Sequence, residues 1–159
     1  MRLAGIVRDS IVNGVGVRDV VFFQGCSKRC KGCHNPETWD YDGGCHRFLG
    51  DVVKELSESS NDVTISGGEP FDQFSDLFDL CKQLHKQGKT IWVYTGNVVD
   101  PTKQIYQKLS QYVDVIVDGR FVEELKDSNL LFRGSSNQRL INLPESVKMG
   151  EIVEWEDKG

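Results

Sequence analysis

Between Val17 and Gly119 short apolar runs of strand length alternate with amphipathic stretches of helix length, and every strand-like run is followed by glycine. Val17 to Phe23 is dense in Val and Phe and leads into Gly25. Val63-Thr64-Ile65 stops at Gly67-Gly68, Thr90 to Tyr94 stops before Gly96, and Val113 to Val117 leads to Asp118-Gly119. The stretches between them carry helical spacing. Leu49, Val52, Val53 and Leu56 mark one face within Phe48 to Leu56, and Phe74, Leu77, Phe78, Cys81 and Leu84 mark another, closed by Gly88 in the C-cap role. A third helix is expected over Thr102 to Ser110, with Pro101 near its first turn. Such alternation predicts an α/β fold with a mainly parallel sheet, open or curled into part of a (β/α) barrel. In either form the chemistry gathers at the C-terminal edge of the strands, where the glycines let backbone approach a ligand closely.

From Leu125 onward the rhythm breaks, leaving an apolar stretch at Leu140 to Leu143 and a late Ile152-Val153-Glu154-Trp155 that reads as an edge strand. The length of 159 residues and the 38% apolar content suit a single domain over 1–159. A net charge of -5 argues against a general grip on phosphate backbones, so no nucleic-acid partner is expected. No apolar run approaches the roughly 20 residues of a membrane span, and Met1-Arg2-Leu3-Ala4-Gly5 opens no signal-peptide core, so a cytoplasmic protein with no membrane partner is expected.

Three of the five cysteines fall within eight residues, as Cys26-x-x-x-Cys30-x-x-Cys33, on the loop that follows the first strand of this alternation. That spacing suits metal ligation better than a disulfide framework. Thiolates are the soft ligands that iron–sulfur clusters select, and three of them leave one iron of a cubane without a protein ligand. Lys28, Arg29 and Lys31, interleaved among them, offset cluster charge and are expected to favour the thiolate. The competing arrangement is a zinc site completed by His34 or His46, in a zinc-stabilised interaction module. Zinc ligands usually come as two separated Cys-x-x-Cys halves, and no second half is present, so His34, His46 and His85 are given no metal role. Cys45, after Gly43-Gly44, and Cys81, within a helical pattern, read as structural.

The cysteine spacing is that of the radical S-adenosylmethionine superfamily. More narrowly, the chain resembles the activating proteins of anaerobic ribonucleoside-triphosphate reductases, small members of the glycyl-radical-enzyme activase group. The resemblance runs from about Val12 to Leu143. It rests on Phe22-Phe23-Gln24-Gly25-Cys26, Gly32-Cys33-His34-Asn35-Pro36-Glu37-Thr38-Trp39, Ser66-Gly67-Gly68-Glu69-Pro70, Tyr94-Thr95-Gly96, Val113 to Gly119 and Arg133-Gly134-Ser135-Ser136-Asn137-Gln138-Arg139. Departures are few. The loop Asn13 to Arg18 has Asn and Val where the group commonly shows Asp-Gly-Pro-Gly, and Phe132 stands where Trp is common.

The resemblance implies an abbreviated partial (β/α) barrel of the radical S-adenosylmethionine type, open on one side to a protein substrate. It implies a 4Fe-4S cluster ligated by Cys26, Cys30 and Cys33, whose open iron is chelated by S-adenosylmethionine. One electron, from a donor such as flavodoxin or the reductase system, would cleave the sulfonium to a 5′-deoxyadenosyl radical, which would take a hydrogen from a backbone glycine of the reductase large subunit. Gly32, Cys33 and His34 would border the adenine, Gly67, Gly68 and Glu69 would accept the methionine ammonium, and Thr95 and Asp118 would help to hold the cofactor. No catalytic residue beyond the cluster ligands is implied. Activation of pyruvate formate-lyase, or a small-molecule radical reaction, keeps the same chemistry with another target. The segment Arg133 to Arg139 is compatible with reductase contact, cofactor closure or plain turn structure.

Overall fold

The computed structural model describes residues 1–157. The expected alternation is present. Strand β1 (Arg2–Ser10) is followed by β2 (Arg18–Phe23), a two-residue β3 (Cys45–His46), helix α1 (Leu49–Ser57), β4 (Asp62–Gly67), α2 (Phe74–Lys86), β5 (Ile91–Tyr94), α3 (Gln104–Leu109), β6 (Val115–Asp118), β7 (Arg139–Asn142) and α4 (Leu143–Met149). The spatial order is β3-β1-β2-β4-β5-β6-β7. β2, β4, β5 and β6 run parallel in the middle, while β1, β3 and β7 pair antiparallel at the flanks. The sheet is therefore mixed, with its parallel part central.

The four parallel strands are the ones legible as apolar runs, because a parallel strand covered by crossover helices needs continuous apolar character. The flanking β1 carries Gly5, Arg8 and Asp9 and is mostly half-exposed, which blurs its pattern. α4 carries a readable signal: the Asn142 side chain accepts from the Glu145 N–H at 3.2 Å, Pro144 lies in the first turn, and Gly150 closes the helix at φ +72°. The expected strand at Ile152 to Trp155 is reduced to a single bridge, Ile141 to Glu154. Pro101 sits in a turn ahead of α3, so that helix is shorter than its pattern.

One core cluster joins the sheet to all four helices, through Val21, Ile65, Val93 and Ile116 on the strands and Leu56, Leu80, Leu109 and Leu143 on the helices. On the opposite side Trp92, Val115, Val117 and Leu140 pack with Phe132 and Trp155. The helices thus share one face, which leaves the C-terminal strand edge to the loops. No helix among the described residues is long and apolar enough to cross a membrane.

Candidate functional site

The loop after β2 is built as a closed ring of backbone bonds. Gly25 N–H donates to Thr38 O at 2.6 Å and Cys26 N–H to Trp39 O at 3.2 Å, while the buried Gln24 amide donates to Glu37 O at 3.0 Å and Asp40 O at 2.6 Å. Inside the ring Cys33 N–H donates to Cys30 O at 3.1 Å, and Asn35 N–H donates to Cys33 Sγ at 3.4 Å. The ring is docked on the end of β4. Gly68 N–H donates to Phe23 O and Glu69 N–H to Gly25 O, both at 2.8 Å. Only glycine permits this contact. A Cβ on Gly67 would lie 2.3 Å from Phe23 N and O, and one on Gly68 would lie 2.2 Å from Gly25 O.

Glu69 is 1% exposed and ties β4 to the end of β5. Its carboxylate accepts from Gly96 N–H at 2.7 Å, Thr95 Oγ1 at 2.8 Å and Phe71 N–H at 3.1 Å. Burial pushes the Glu69 carboxyl up from its ordinary value, and those three donors offset part of the shift.

Cys26, Cys30, Cys33, Gly67, Gly68, Glu69 and Thr95 together form the wall of one cavity. The structure brings together the three cysteines and the strand-end residues expected from sequence. Trp39, Phe121 and Gln138 also line this cavity. Trp39 and Gln138 fall inside motifs already singled out, whereas nothing in the sequence marks Phe121. Trp39 lines the cavity, and its indole N–H is buried with no hydrogen-bond partner among the described residues.

Other expected residues lie outside that wall. Gly32 and His34 are exposed, and the His34 ring packs at 5.1 Å from Phe121. Asp118 is buried beside a neighbouring hollow that shares Gly96, Gly119 and Arg120 with the cavity. Its carboxylate is engaged by Arg139, at 3.1 Å from Nε and 2.6 Å from Nη2, and by Val99 N–H at 2.9 Å. Neither His34 nor His46 borders the cavity, Cys45 is exposed on β3, and Cys81 is buried in α2. No three His, Cys, Asp or Glu side chains among the described residues form a group that could hold a single metal ion.

The interleaved cations take three different positions. Lys28 lines the cavity, Arg29 lies 6.0 Å from the Trp39 ring, and Lys31 pairs at 3.7 Å with Glu123 in an exposed bridge. Burial pushes the Cys30 thiol up, and the Phe121 backbone N–H pulls the other way. The donor set itself, three soft thiols with a nearby N–H dipole, fits an iron–sulfur cluster.

A family model described as a 4Fe-4S single cluster domain matches residues 12–141. Relatives named anaerobic ribonucleoside-triphosphate reductase-activating protein match over most of the chain. The one from Salmonella typhimurium is 36% identical over 139 residues, covering 80% of this chain and 90% of the relative. The one from Escherichia coli K12 is 35% identical with the same coverage. The one from Enterobacteria phage T4 is 37% identical over 146 residues, covering 86% of this chain and 90% of its own.

Proposed function

The chain belongs to the family of anaerobic ribonucleoside-triphosphate reductase-activating proteins, and from that membership we propose that it activates such a reductase with a 4Fe-4S cluster and S-adenosylmethionine. The observation that carries the reading is the convergence of Cys26, Cys30 and Cys33 with Gly67, Gly68 and Glu69 on one cavity at the C-terminal edge of the sheet. The three thiolates would hold the cluster and leave one iron for the cofactor. The chemistry that the bound pair supplies is reductive cleavage of the sulfonium and removal of one hydrogen atom from a backbone glycine of the reductase.

The residues of the chain bind, orient and shield. Gly67 and Gly68 let the cysteine loop dock on the strand end, and Glu69, held by three donors, fixes the rim that would receive the ammonium group of the cofactor. Thr95 holds Glu69 in turn, and Gly32, Cys33 and His34 would flank the adenine near Phe121. Asp118 works at one remove, bracing the turn at Val99 and the Arg139 side chain. The one-sided helical layer supports an abbreviated partial barrel of the radical S-adenosylmethionine type, with the side that carries no helix facing a protein substrate.

Anaerobic reconstitution with iron and sulfide, followed by dithionite and S-adenosylmethionine, tests this. The expected products are 5′-deoxyadenosine and, with an anaerobic ribonucleotide reductase present, a glycyl radical signal on that protein. Deoxyadenosine without the radical would keep the chemistry and reject the partner, and neither product would reject the function.

A further inference from the structure

Lys28 lines the cavity and has no task in the function proposed above. Its backbone is fixed on both sides. Cys26 N–H donates to Trp39 O at 3.2 Å, and Ser27 N–H and Oγ donate to the Asp72 carboxylate at 3.1 and 3.3 Å. Arg29 holds φ +48°, a left-handed conformation that a non-glycine residue keeps only where its surroundings impose it. From this loop the Lys28 side chain crosses to the end of β5. A Cβ built on Gly96 would lie 3.0 Å from Lys28 Cγ and 3.4 Å from Cδ, so the stem rests on the glycine backbone. The same point lies 3.3 Å from Glu69 Oε1. Lys28, from the cysteine loop, and Glu69, from just beyond β4, therefore flank one spot on the cavity wall.

The two charges do not pair with each other. Glu69 directs its carboxylate to Gly96 N–H, Thr95 Oγ1 and Phe71 N–H, and no salt bridge among the described residues engages the Lys28 ammonium. That ammonium has three donors to offer a ligand. An α-amino acid carries its own two charges on one carbon, so a wall that recognises it needs an acceptor and a cation side by side. Glu69 and Lys28 meet that need at Gly96. Arg120, another cation of the cavity wall, is exposed beyond the end of β6 and is not among the atoms nearest Gly96.

We infer that Lys28 is a binding residue for the carboxylate at the amino-acid end of the cofactor, set beside the Glu69 rim that takes the ammonium group. The inference rests on the S-adenosylmethionine reading of the cavity. It gives a residue between the cysteines a role other than cluster ligation, and it makes the site select a complete amino acid over a bare amine. Lys31, in the same loop, is the control, since its side chain is 86% exposed and paired with Glu123.

The test is anaerobic equilibrium dialysis of S-adenosylmethionine, and of its decarboxylated analogue, against the full chain reconstituted with iron and sulfide. Lys28→Met should keep the iron content of the wild type and bind S-adenosylmethionine about tenfold more weakly, the size of one charge-assisted hydrogen bond. Its affinity for the decarboxylated analogue, which keeps the ammonium group, should equal that of the wild type. Lys28→Arg should recover part of the loss, and Lys31→Met should bind both ligands as the wild type does. An unchanged affinity in Lys28→Met, a loss of equal size for both ligands, or an equal loss in Lys31→Met would each overturn the inference and leave the cluster reading intact. Loss of iron in Lys28→Met would also overturn it, by assigning the side chain to the cluster instead. A wild-type chain that takes up iron but binds no S-adenosylmethionine would remove the cofactor reading and the inference together.

Discussion

Arg18 and Glu69 are both 1% exposed, carry opposite charges, and stand at opposite ends of the same parallel strands. At the N-terminal edge Arg18 donates to Thr64 Oγ1 at 2.8 Å, Val63 O at 2.8 Å, Thr90 O at 2.9 Å, Val15 O at 3.1 Å and Thr90 Oγ1 at 3.3 Å, and its guanidinium lies 5.7 Å from the Trp92 ring. At the C-terminal edge Glu69 accepts from three donors in an equally complete way. Each stitches neighbouring strands together, since a buried charge is tolerable only when hydrogen bonds replace its water. The difference lies in what surrounds them. Gly14 brings its loop so close that a Cβ there would meet Arg18 and Trp92 at 2.9 Å, which closes that end. Beside Glu69 lies a cavity bordered by three thiols. One end is sealed for stability and the other is kept open for chemistry.

The sharpest way to break this contrast is at Arg18. Arg18→Met keeps the aliphatic stem but leaves several buried acceptors unpaired, so urea unfolding should show a loss of about 3 kcal/mol. Iron uptake per folded chain should be unchanged, and a selective loss of iron would show that the two ends are not independent. Gly68→Ala comes next. Its Cβ meets backbone, Gly25 O at 2.2 Å and Thr38 O at 2.9 Å, so the cysteine ring must move. Iron content and S-adenosylmethionine affinity should fall together, whereas Gly50→Ala in α1, with nothing within 4 Å, should leave both intact.

A smaller effect is expected at Glu69. Its pKa is raised by burial above the ordinary 4.5, so the folded chain holds this proton more tightly than the unfolded chain does. Its ionisation therefore lowers stability as pH rises from about 4.5 through the raised value, and the full cost is in place above that. Glu69→Gln should flatten the stability profile in that window while weakening cofactor binding, and an unchanged slope would mean that Glu69 does not titrate there. The smallest effect is expected at Cys45, exposed on the edge of the sheet: Cys45→Ala should leave iron content and unfolding within error of the wild type.

The two ends were not equally legible in the sequence. Val17 to Phe23, Ile65, Tyr94 and Val117 announced the central strands because continuous apolar runs ending in glycine have few other uses, and the cysteines marked the edge that carries the site. Arg18 gave no such signal, because a charged residue beside Asp19 reads as a strand start facing water. Its partners come from Val15, Val63, Thr64 and Thr90, which only the folded sheet brings together. The antiparallel flanks were missed for a related reason: β1 is half-exposed and broken by Gly5. Asn137 and Gln138 were visible as a motif, but their amides donate to the carbonyls of Arg120 and Gly119, and no periodicity reports where a carbonyl points.

The most direct measurement is the iron and sulfide content of the anaerobically reconstituted chain, set against single alanine variants of all five cysteines. Four irons per chain should be found in the wild type, Cys45→Ala and Cys81→Ala, consistent with the 4Fe-4S domain, and lost in Cys26→Ala, Cys30→Ala and Cys33→Ala. A colourless chain carrying zinc, or a cluster that survives the loss of any of those three thiols, would contradict the account.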